Sequence, residues 1–106
     1  CNQMIFKGLK SLKYKECNRE LATIEHLNKI GVNFKSDDDY WLMRGDSFDL
    51  KEDTLFRSYN DHRMAMCVAP LSLIESIRID DETVVKKSYP NFWEDLLKLG
   101  FEIEYL

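Results

Sequence analysis

Four glycines in 106 residues leave this chain without a glycine-rich loop. It contains no GxGxxG, no GxxxxGK[ST] and no GxSxG, so neither a nucleotide-binding fold nor a hydrolase elbow has support. Cysteine is also scarce. Cys1, Cys17 and Cys67 stand far apart, in no CxxC and no Cys/His ligand spacing, and read as free thiols rather than a disulfide framework or zinc site. His26 has no ligand partner four residues on, so no metal is expected there. Basic excess is missing too: with a net charge of −4, nucleic acid and anionic membranes are not expected partners, and any anion site has to be local. No apolar run approaches the ~20 residues that span a bilayer. The opening CNQMIFKGLK lacks the order of a signal peptide, so a cytoplasmic protein is expected. It starts inside a strand-like run without an initiator Met, which suggests a fragment. No strong tandem repeat, low-complexity segment or obvious linker interrupts it.

What is present is enough apolar material, 44% of the residues, for one domain with a core. A short strand is expected at Met4 to Phe6. Leu21, Ile24, Leu27 and Ile30 then recur at helical spacing, predicting a helix over about 17–30 that stops at Gly31. Val32 and Phe34 alternate with polar residues, SDDD turns the chain, and YWLMR returns before Gly45, which together read as a hairpin. A polar stretch follows. Met64, Cys67, Val68, Leu71 and Ile74 mark a second helix with Asn60 or Asp61 as its cap, and Pro70 predicts a kink or tight packing over 66–70. SIRID reads as a strand. Ser88 is expected to cap a third helix that runs through FWEDLLKL to Gly100, with Pro90 in its first turn. FEIEY reads as a last strand, with Phe101, Ile103 and Tyr105 on one face. This order belongs to α/β or α+β packing, with helices on one face of a mixed sheet.

Three clusters place cations in or just before the first turn of a helix. They are KYKECNR with Lys13, Lys15, Glu16 and Arg19, then Asp61-His62-Arg63, then Lys86 and Lys87 before SYP. A helix N-terminus already attracts anions through its free N–H groups and dipole, so cations added there raise the positive potential at a cost in helix stability. Converging, the three would make a phosphate or carboxylate pocket. Taken singly, loop lysines and arginines are more often solvated, His62 more often a cap or surface residue, and Glu16 a surface partner of Lys13 or Arg19. The RGD at 44–46 reads as a strand end and turn, and Met64 and Met66 as packing residues.

The segment YNDHRMAMC at 59–67 resembles the signature of the 5-enolpyruvylshikimate-3-phosphate synthase family, the 3-phosphoshikimate 1-carboxyvinyltransferases. KYKECNRELATIEHLNKIGVNF resembles that family's KE(T/S)DR helix, and KKSYPNFWEDLLKLG its closing lysine-aromatic-proline segment. All three occur in the right order and spacing. The related enolpyruvyl transferase acting on UDP-N-acetylglucosamine shares the fold but lacks the DHRMAMC segment. The resemblance implies an inside-out α/β barrel of βαβαββ units, of which residues 1–106 would be the C-terminal part of the C-terminal lobe, with the N-terminal lobe and an upstream aspartate base absent. It implies an enzyme of aromatic amino acid (chorismate) biosynthesis that moves the enolpyruvyl group of phosphoenolpyruvate to the 5-hydroxyl of shikimate-3-phosphate. No cofactor and no metal are implied. Lys15, Arg19, Arg63 and Lys87 match substrate-binding positions; Glu16, His62 and Lys87 match catalytic ones. The intact enzyme is expected to be a monomer, and the fragment alone inactive and prone to self-association. Departures are Cys17 and Asn18 in place of Thr or Ser and Asp, and Ser11 in place of an asparagine found in some members. Besides a transferase fragment, two readings stay open: a non-catalytic module that binds anions at the same helix entrances, and a bare folding unit.

Overall fold

The computed structural model describes residues 3–37, 39–45 and 48–106. Cys1, Asp38 in the SDDD turn, and Asp46 of the RGD tripeptide lie outside them. Strand β1 (Gln3–Phe6) leads through a 3-10 turn (Lys10–Tyr14) into helix α1 (Arg19–Lys29). Asn18 caps α1, its side chain accepting the Leu21 N–H at 3.2 Å. At the other end Gly31 takes φ 83°, Val32 donates to the Leu27 carbonyl and Gly31 to that of Asn28, which satisfies carbonyls the helix would otherwise leave open. The expected helix and its stop are both there.

Strands β2 (Asn33–Ser36) and β3 (Trp41–Arg44) form the expected hairpin, and β1 pairs antiparallel with the other edge of β3. Phe34 and Trp41 stack edge to face, their centroids 5.2 Å apart, on the buried side of this three-stranded sheet. β1 is an edge strand, and its Met4 and Ile5 are exposed.

The single mixed sheet expected from the element order is not what forms. A second, separate pair consists of β4 (Thr54–Phe56) and β5 (Ile77–Ile79), which run parallel. β4 sits in the stretch read as merely polar, because three residues between charged neighbours are too short for a period-2 pattern. Between these strands α2 (His62–Val68) makes the crossover that parallel pairing requires. Pro70 ends it: lacking an N–H and clashing with the carbonyl four residues back, it forces 69–73 into a 3-10 turn, so the helix stops short of Ile74. Val68 and Ala69 are buried at the junction, as packing around a proline demands. Phe56, Ile30 and Val68 form the core, with Leu27, Val32, Leu50, Leu71, Ile77 and Ile79 packed around them.

A further 3-10 turn (Glu82–Val85), capped by Asp81, packs against α2 before α3 (Phe92–Lys98) begins. Ser88 does not cap α3. The helix starts later, after Pro90, with Asn91 at the cap position and no side-chain cap bond, because 86–88 are used in the turn that closes the 3-10 segment. Gly100 ends α3 at φ 100°, as expected. FEIEY is not a strand: its alternation is real, but it pairs with no strand among the described residues, and periodicity without a ladder does not make a sheet.

Candidate functional site

The first two clusters meet where the N-termini of α1 and α2 come together. Ser58 to Asp61 form a tight turn in which Tyr59 and Asn60 both have positive φ, 53° and 54°, and the Asp61 N–H donates to the Ser58 carbonyl at 2.9 Å. Two consecutive left-handed residues are the backbone of a type I′ turn, which asparagine tolerates and tyrosine adopts only at a cost. The turn delivers Asp61 as the N-cap of α2 in fully buried form, with its side chain 0% exposed. Of the two caps expected, Asp61 is the one used.

Asp61 does more than cap. Its Oδ1 accepts the Arg63 backbone N–H at 3.0 Å and an Arg19 Nη2–H at 3.2 Å, while Oδ2 accepts Arg19 Nε–H at 2.8 Å and the Cys17 thiol at 3.2 Å. The other Nη2–H of Arg19 goes to Glu16 Oε2. Burial by itself would raise the Asp61 carboxyl, but the Arg19 guanidinium, the Arg63 N–H and the Cys17 thiol outweigh it and hold the group below the usual carboxylate range. Arg19 is held more firmly charged through its bonds to Asp61. The Cys17 thiol is pushed up to about 12 by burial and then by donating to Asp61, so it is a protonated donor at neutral pH.

The remaining predicted residues sit around this pair. Glu16 is half exposed and tied to Arg19; Lys15 and Arg63 are exposed. His62 lies beside Asp61, Nδ1 to Oδ1 3.7 Å, too long for a hydrogen bond. Lys13 pairs with Glu20 at 3.6 Å. Lys86 and Lys87 are exposed in the turn that leaves the 3-10 segment packed on α2, and neither shares a hydrogen bond or ion pair with Arg19 or Asp61. Two clusters therefore share one hydrogen-bonded group, and the third is not bonded to it. Among the described residues no group of three or more His, Cys, Asp or Glu is placed to hold a metal ion, and no helix is long and apolar enough to cross a membrane.

Sequence reasoning singled out Asp61 as a cap and missed it as the partner of Arg19. The one signal was an acid that Asn60 made redundant as a cap. His26 is not in this site: its Nε2–H donates to the Arg57 carbonyl at 2.8 Å, and its ring meets the edge of Phe56, so it fastens α1 to the end of β4.

A family model for EPSP synthase (3-phosphoshikimate 1-carboxyvinyltransferase) matches residues 2–96. Among curated proteins, a 3-phosphoshikimate 1-carboxyvinyltransferase of Bacteroides fragilis is 40% identical over 101 residues, covering 93% of this chain and 25% of the relative. Those of Campylobacter jejuni subsp. doylei and Aquifex aeolicus are 42% and 39% identical, over 91% and 88% of this chain and 22% of each relative. This chain thus spans about a quarter of the length of the curated relatives it matches.

Proposed function

Because the chain belongs to the EPSP synthase family, we propose that it forms part of an enzyme that transfers the enolpyruvyl group of phosphoenolpyruvate to the 5-hydroxyl of shikimate-3-phosphate and releases phosphate. The observation that carries this reading is the buried Arg19–Asp61 pair. It joins the KECNR and DHRMAMC segments into one site rich in cations, with Lys15 and Arg63 exposed beside it. Residues 1–106 would be the C-terminal part of the C-terminal lobe of an inside-out barrel of βαβαββ units, and the rest of the enzyme would supply the remaining substrate contacts.

Phosphoenolpyruvate carries a carboxylate and a phosphate, and Lys15, Arg19, Arg63 and Lys87 would hold them. The shikimate hydroxyl gives its proton to a base in the rest of the enzyme and adds to the phosphate-bearing carbon of phosphoenolpyruvate as the methylene takes up a proton, giving a tetrahedral ketal phosphate. Loss of phosphate and of a methyl proton then restores the enolpyruvyl group. Glu16, half exposed and oriented by Arg19, and Lys87 are the groups proposed to give and remove that proton, with His62 adjoining. The reading needs no metal or organic cofactor and assigns a cytoplasmic, monomeric whole enzyme. The isolated chain should self-associate through its exposed edge strand β1.

The test joins this chain to the rest of the Bacteroides fragilis relative in place of the matching quarter, and measures phosphate release from phosphoenolpyruvate and shikimate-3-phosphate. Release is expected, and Glu16→Gln should collapse turnover while substrate binding largely survives. A folded chimera that binds phosphoenolpyruvate, loses that binding with Arg63→Ala, yet releases no phosphate would favour a non-catalytic anion-binding module instead.

A further inference from the structure

Arg19 has five N–H donors. Asp61 takes Nε–H and one Nη2–H, and Glu16 takes the other Nη2–H, so the two donors on Nη1 are unspent within the described residues. Asp61 in turn holds two donors on each oxygen, which fills the acceptor sites a carboxylate has. Its backbone is fixed by the tight turn and by the start of α2, and the Met64 N–H donates to its carbonyl at 3.1 Å. A guanidinium clamped along one edge by such a group can point its free nitrogen in one direction only.

We propose that Asp61 is a positioning residue that aims Nη1 of Arg19 at an anionic ligand, and that the Cys17 thiol is the donor that keeps the carboxylate from turning. The ligand class is a phosphate or carboxylate; on the reading above, on which this step rests, it is phosphoenolpyruvate. The thiol therefore serves the site without touching the ligand. A protonated thiol at Cys17 suits that task, because a thiolate beside a buried carboxylate would repel it. The hydroxyl of a Ser or Thr, which the related motif carries at this position, could make the same bond.

Two measurements test this. The first uses the chain itself and the rate at which iodoacetamide alkylates Cys17, resolved from the other two cysteines by peptide mass and normalised to an added model thiol. Asp61→Asn removes the anion that holds the thiol proton and should speed Cys17 about tenfold, since one unit of pKa is a factor of ten in thiolate. Arg19→Ala removes the cation that favours thiolate and should slow Cys17. Opposite signs support the cluster; acceleration by both would mean that the pair only holds the fold together, and would overturn the proposal.

The second uses the chimeric enzyme. Asp61→Asn should raise KM for phosphoenolpyruvate about tenfold or more with a smaller change in kcat, and should add nothing in an Arg19→Ala background. Cys17→Ala should raise KM in the same direction, and Cys17→Ser should restore it. Additive effects of Asp61→Asn and Arg19→Ala would refute action through Arg19. If the chimera fails to turn over at all, the functional reading fails, while the alkylation rates still decide whether Asp61 orders the cluster.

Discussion

Removing the hydroxyl of Tyr59 should make this protein more stable. Its Oη is buried and finds no hydrogen-bond partner among the described residues, the one side-chain oxygen or nitrogen there in that state. The ring lies beside His26, 5.9 Å between centroids, and Phe keeps that contact and the volume. Burying a hydroxyl without a bond costs roughly 1–3 kcal/mol in protein mutational data. Deleting it leaves no partner unsatisfied, so the loss that usually offsets such a change is absent. Tyr59 is only half buried overall, which places the expected gain at the low end, about 1 kcal/mol. For a domain of this size that is a rise in Tm of about 4 °C. Urea and thermal unfolding of Tyr59→Phe beside the parent, followed by circular dichroism, measures it. Because the left-handed backbone at Tyr59 is common to both chains, its strain cancels. Equal or lower stability of the Phe variant would refute the reasoning, since it would mean that the hydroxyl makes a bond worth more than its burial costs.

Acid should weaken the fold in two stages. Burial keeps the His26 ring below its ordinary 6.5 despite the Arg57 carbonyl, so the unfolded chain takes up a proton that the folded one refuses, and stability falls as pH drops from 6.5 towards the depressed folded value. Urea midpoints between pH 7 and 5 should show this slope, and His26→Gln should flatten it; an unchanged slope would place the titration elsewhere. Below about 3.8 the Asp61 contribution follows, because its folded value is depressed and the stability it brings is lost as the carboxylate takes its proton. Asn18→Ala should cost about 1 kcal/mol by opening the first turn of α1, whereas Asn18→Asp should not, and equal losses in urea melts would show that the cap bond to Leu21 is unimportant. Phe56→Ala should be the most damaging single change in the core, about 3–5 kcal/mol, because that ring is fully buried beneath α1 and α2. A loss under about 1 kcal/mol in the same melts would contradict the burial.

Where neighbouring residues decide the outcome, the structure follows the residues in order. The glycine stops at 31 and 100, the hairpin and the start of α2 at Asp61 all rest on hydrogen bonds between positions a few residues apart, and all were legible, whereas the cap of α1, Asn18, was read only as a departure from the related motif. β4 was hidden because it is short and is stabilised by β5, a partner more than twenty residues on that no local pattern announces. FEIEY failed in the opposite sense, showing the alternation of a strand without a neighbour to pair with. The site divides in the same way. Basic residues at helix entrances can be counted in a sequence, but the carboxylate that takes two of Arg19's five donors lies 42 residues away, and only the fold puts it there. The third cluster, at Lys86 and Lys87, has the expected chain position without any bond to the first two.

That separation of 42 residues also orders the folding of the molecule. Helix α1 and the β2–β3 hairpin are local and can form within microseconds, but the Arg19–Asp61 pair must wait until a long loop has closed and β4, α2 and β5 have docked. The binding geometry is therefore a late product of folding that cannot help to start it. Mutations in the pair should leave the folding rate nearly unchanged and show themselves in faster unfolding.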